Sequence, residues 1–291
     1  MRFFSNFNPS VDNNDKLLFN NLITDVKPPE KNSTLHQKIK YELNPQGYRS
    51  PEFIENVEIM ALGCSFTYGN GLDQEMTWPF ILSKKSNKNF INLALPGDSA
   101  AGQIRKAFSY FENYGNPQII VAMFPLYRME MPTVPNKFFK KRDRNLNKIE
   151  HYVFYDDWFE SYSKVPHDPE SVIPKEAAIF YTQYHIQMLE QYCRTNNIKL
   201  IWSVWENYEE IYNFLNKTKP SFLKNYCKIE WDMFFDYKTG HYNKKEISCE
   251  VHKDNAENEL FHRAADRENE DFCHLGWHFH MHVAEAFYDK I

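Results

Sequence analysis

Two serines in this chain directly follow apolar runs, Ser65 in "VEIMALGCSFTYGNGL" and Ser99 in "NLALPGDSAAG". A serine hydroxyl is a weak nucleophile, so it needs a base within hydrogen-bond reach and a partner that orients the base. Near the far end of the chain, "NEDFCHLGWHFHMHVAEAF" supplies both, with Asp271 and His274 three residues apart. On a tight loop that separation lets the carboxylate accept one imidazole N–H while the other ring nitrogen faces the nucleophile. The chemistry such a set performs is acyl transfer, with the order serine, aspartate, histidine along the chain.

The two serines are distinguished by what surrounds them. Ser65 lies two residues beyond Gly63, with Thr67, Gly69 and Gly71 after it, so the backbone can turn sharply and present both the hydroxyl and the amide N–H to one substrate atom. Ser99 has a simpler role, because Asp98 or Ser99 is a preferred N-cap for the helical pattern that follows. Gly97 beside it is a further candidate, since a glycine at a strand end lets a substrate oxygen approach the backbone amide.

The elements that must position these groups follow from periodicity. Short, almost continuously apolar runs at 57–62, 90–95, 118–124 and 198–205 predict strands buried on both faces of a parallel sheet. Between them, Ile104, Ala107, Phe108 and Phe111 make one helical stripe, and Tyr181, Tyr184, Met188, Leu189 and Tyr192 another. Phe279, Val283, Phe287 and Ile291 form a closing helical stripe. Strands alternating with helices predict an α/β fold, a three-layer α/β/α sandwich around a mainly parallel sheet. Residues 1–50 read as an irregular N-terminal arm and 51–291 as one domain, with two irregular insertions near 127–174 and 208–270 that break the alternation. In an open parallel sheet, loops at the carboxyl ends of the strands build the site, which places Ser65 there and lets Trp205 and Glu206 reach the cleft after the fourth strand.

Taken together, "GCSFTYG", "NLALPGDSAAG" and "DFCH" resemble the blocks of the SGNH/GDSL hydrolases, a family of esterases, lipases and acetylesterases. The resemblance spans roughly 42–130 and 176–290, including the lead-in "NPQGYRSPEF" found in phage- and bacterial-type members. It implies a flavodoxin-like sheet, Ser65 as nucleophile, His274 as general base, Asp271 as its orienting partner and Gly97 as an oxyanion donor. It also implies no cofactor. Cys64 replaces the aspartate usual before the nucleophile. The third block departs further: family members carry an oxyanion Asn within Gly-x-Asn-Asp, whereas here the strand ends "MFPLYRME", so Arg128 or a backbone group must substitute. Losing one oxyanion donor typically costs about 10²- to 10³-fold in rate.

Composition removes other classes. With 34 basic against 39 acidic side chains, a net charge of −5, there is no concentrated basic face for a nucleic acid partner. No run approaches the ~18 apolar residues that span a bilayer. The opening lacks a secretion signal's apolar core, and five scattered cysteines suit free thiols, so the chain reads as cytoplasmic. A glycine-rich turn can also cradle phosphate, but that leaves Asp271 and His274 unexplained. His274, His278, His280 and His282 invite a zinc reading, yet at spacings of 4, 2 and 2 they cannot all point one way on a helix, and no metal is expected. His280 remains a candidate to border the site. The expectation is a serine esterase or deacylase acting on a small-molecule or glycan ester. The alternative is an SGNH-like acyltransferase or an inactive glycan-binding or structural module.

Overall fold

The four apolar runs form one parallel sheet, and burial on both faces explains why they read as continuous rather than alternating. The computed structural model describes residues 41–96, 98–126, 128–133, 150–155, 175–204, 224–229, 235–236, 241–242 and 274–291; of 128–133, 150–155, 175–178, 235–236 and 241–242 it describes the backbone alone. Strands β1 (Ile59–Leu62), β2 (Phe90–Asn92), β3 (Ile119–Phe124) and β4 (Lys199–Val204) lie in the order β2-β1-β3-β4. Ile59 pairs with Phe90 on one side and Ile119 on the other, and Ile119 with Lys199, all in parallel. Beyond β4, Tyr226 bridges Trp202 in parallel, and the Cys227 N–H donates to the Trp202 carbonyl at 2.7 Å. This is the flavodoxin-like order, in which ligands sit beyond the carboxyl ends of the strands.

Alternate strand residues face opposite layers. Met60, Leu62, Ile120, Ala122 and Phe124 pack with α3 (Ala100–Tyr114) and α4 (Lys175–Thr195). Ile59, Ala61, Ile119, Val121 and Met123 pack with α2 (Trp78–Ser86) and α5 (Trp277–Tyr288). The expected three-layer α/β/α sandwich is therefore the observed one. Phe279, Val283 and Phe287 of the closing stripe are buried, with Ile291 packed against them.

The stripe predicted on α4 is displaced. Leu189 is fully buried, but Tyr184 and Met188 are 55% and 42% exposed, and the face against the sheet is Ile179, Thr182, Ile186, Leu189 and Cys193. Periodicity weights large apolar side chains, whereas close approach to the strands favours smaller ones.

Two antiparallel pairs fall in the stretches read as insertions: Arg128–Thr133 with Glu150–Tyr155, and Phe235–Asp236 with His241–Tyr242. Residues 1–40 of the expected arm lie outside the described residues. Of the rest, Tyr48, Arg49 and Ser50 are buried. No helix among the described residues is long and apolar enough to cross a membrane.

Candidate active site

Ser65 opens a one-turn helix, α1 (Ser65–Tyr68), immediately beyond the carboxyl end of β1. Gly63 makes the tight entry possible: a Cβ there would lie 1.8 Å from Thr67 Oγ1, so the strand end and the helix approach closer than any side chain permits. Gly69 ends the turn with φ of 78°, a left-handed conformation that glycine adopts without strain. Ser65 is 6% exposed, and its hydroxyl lies 4.0 Å from Cys64 Sγ. Cys64 is a buried free thiol.

His274 comes from the loop before α5, and its ring meets the Phe66 ring edge-on with centroids 4.8 Å apart. The head and tail of the chain thus meet at the residue next to Ser65. No direct hydrogen bond joins Ser65 to His274; hydrogen bonds between catalytic groups are often long before substrate binds. Asp271, Gly97 and Trp205 lie outside the described residues, as does the side chain of Arg128, which opens the first ribbon opposite Tyr155.

The loop around Gly97 is nevertheless held on its C-terminal side. Asp98 forms an ion pair with Lys106, at 12% and 3% side-chain exposure, and its Oδ1 accepts the Ser99 N–H at 3.1 Å. Ser99 is completely buried and caps α3, its hydroxyl accepting the Gly102 N–H at 3.1 Å. The literal Gly-Asp-Ser is thus a helix start.

His280 is 1% exposed, and its Nδ1 accepts the Trp78 N–H at 3.0 Å, satisfying an orphan donor of the first turn of α2. That bond fixes the proton on Nε2, leaving Nε2 as the only nitrogen that could address a substrate. Burial, with help from neighbouring His274 and Arg49, pushes the His280 pKa down to about 3, so the ring is neutral. Among the described residues no three His, Cys, Asp or Glu side chains are grouped to hold a metal ion.

Sequence reasoning missed the side chains that hold α1 from below. Asn92 Nδ2 donates to the Thr67 carbonyl at 3.1 Å, and its Oδ1 accepts the Ala94 N–H at 3.0 Å. One polar residue inside the run "FINLAL" was the available signal. Arg49, in the polar lead-in, carried none.

No family model and no curated protein matches the sequence. Solved structures do resemble its fold. A protein described as lipolytic, of the G-D-S-L family, from Desulfitobacterium hafniense is 14% identical at a TM-score of 0.43, covering 81% of this chain and 100% of its own. The psychrotrophic esterase EstA from Pseudoalteromonas is 14% identical at 0.37, covering 66% and 90%. A family two carbohydrate esterase from Clostridium thermocellum, solved with cellohexaose, is 12% identical at 0.39, covering 82% and 65%. At these values the likeness decides neither family nor activity, which must be argued from the chain's own residues.

Proposed function

We propose that the chain is an SGNH-type serine esterase or deacylase hydrolysing a small acyl ester, such as an O-acetylated carbohydrate. The observation that carries this reading is the contact of His274 with Phe66, which puts the imidazole beside the turn that presents Ser65 at the carboxyl end of β1. Ser65 Oγ attacks the acyl carbonyl and passes its proton to His274 as the C–O bond forms. The tetrahedral oxyanion is received by the amides of Ser65 and Gly97, assisted by Arg128. Collapse expels the alcohol, which takes the proton from His274; water, deprotonated by the same ring, then releases the acid and restores the hydroxyl. Asp271 holds the histidine tautomer. Trp205, after β4, and the Nε2 of His280 would contact the substrate.

The lack of the usual Asn after β3 favours a second reading, an acyltransferase or an inactive glycan-binding or structural module. A fluorophosphonate probe separates them. Esterase or transferase chemistry predicts labelling that Ser65→Ala abolishes and Ser99→Ala retains; no labelling of the wild-type chain overturns both in favour of the binding module. Product analysis with competing acceptor alcohols then divides hydrolysis from transfer.

A further inference from the structure

The turn that carries Ser65 is too short to hold itself, and side chains distant in the sequence, Arg49 above all, take up its backbone hydrogen bonds. The Cys64 carbonyl accepts from Thr67 and Tyr68 N–H, and that of Ser65 from Gly69 and Asn70 N–H. Asn92 donates to the Thr67 carbonyl, and Arg49 to three more: its Nη1 to those of Tyr68 at 3.2 Å and Gly69 at 2.6 Å, and its Nη2 to that of Leu72 at 2.5 Å, with the Gly69 carbonyl also accepting the Leu72 N–H at 3.3 Å.

Arg49 is 1% exposed, and among the described residues no carboxylate forms an ion pair with it. Its guanidinium instead lies 4.6 Å from the Tyr41 ring centroid and 5.6 Å from that of Tyr68. Tyr41 closes the grip from the other side, its hydroxyl accepting the Gly71 N–H at 2.7 Å. A buried charge is a poor source of net stability, because desolvation offsets most of what its contacts return. What a guanidinium offers here is geometry: a rigid planar fork whose two Nη atoms reach three carbonyls in fixed directions, where an ammonium is one freely rotating centre.

We propose that Arg49 is a positioning residue for the nucleophile, its buried guanidinium fixing the turn that aims the hydroxyl and the amide of Ser65. The proposal rests on Ser65 being the nucleophile. Both reacting groups ride on α1, so a shift of the turn by a fraction of an ångström would misplace them together.

The test compares the full-length chain with Arg49→Lys and Arg49→Met, using circular dichroism to confirm folding, the rate of Ser65 labelling by a fluorophosphonate, and kcat and KM on an aryl acetate. Arg49→Met should lower the labelling rate and kcat by about 10²-fold, the usual size of a small misplacement. KM should stay within about twofold, since uniform binding is not what is lost. Arg49→Lys should recover part of the rate. Should the methionine variant not fold, the lysine variant decides alone. A folded Arg49→Lys chain that labels at the wild-type rate, with only a lower melting temperature, overturns the proposal and reduces Arg49 to scaffolding. Failure of the wild-type chain to label at Ser65 overturns the nucleophile reading and this one with it.

Discussion

His280 shows how one buried side chain ties stability to pH. Its Nδ1 accepts the Trp78 N–H, and its ring is 1% exposed, so the native state holds it neutral with a pKa pushed from 6.5 down to about 3. The unfolded chain takes up a proton below pH 6.5 that the folded chain refuses until about pH 3. Stability from this group is therefore complete above pH 6.5 and declines as the solution is acidified, by about 1.4 kcal/mol per pH unit. His280→Asn keeps an acceptor for the Trp78 amide and removes the titration. Denaturant unfolding should show the variant less stable than wild type near neutrality, with the gap narrowing steadily between pH 6 and pH 4. A constant gap would mean that His280 is not the group responsible.

At the scale of elements, the helix following "PGDS" is the informative case. Ser99 Oγ accepts the Gly102 N–H, and α3 runs fifteen residues from there. Ser99→Ala should lower stability by about 1 kcal/mol, the usual worth of an N-cap, and leave the fluorophosphonate labelling of Ser65 intact. Loss of labelling with the fold preserved would return Ser99 to the reaction. Capping residues and buried parallel strands were legible beforehand because each leaves a local mark: a polar residue before an apolar period, or an unbroken aliphatic run. The one-turn helix at Ser65 left none, since four residues show no period. Nor did Arg49, whose partners are carbonyls nineteen or more positions away and carry no side-chain pattern. The pairing of Asp271 with His274 was read from spacing alone, and only His274 falls among the described residues.

Across the whole molecule, the joining of chain head to chain tail depends on the layer formed by α2 and α5. Phe287 is completely buried, with its ring 5.0 Å from that of Trp78 on α2. Two turns earlier on the same helix, His280 receives the Trp78 amide, and the loop before the helix sets His274 against Phe66. This layer performs two separable tasks: it covers one face of the sheet, and it registers α5 along α2 so that His274 meets Phe66. Phe287→Ala removes only apolar contact, two turns along α5 from His280, and should lower stability by about 3–5 kcal/mol, as deletion of a buried aromatic ring does. Because the His280 bond to the head of α2 remains, the folded fraction should still label at Ser65 at close to the wild-type rate well below its melting temperature. A folded Phe287→Ala chain that fails to label would mean that the register of α5 is set by the hydrophobic layer as a whole, and not by the hydrogen bond at its first turn.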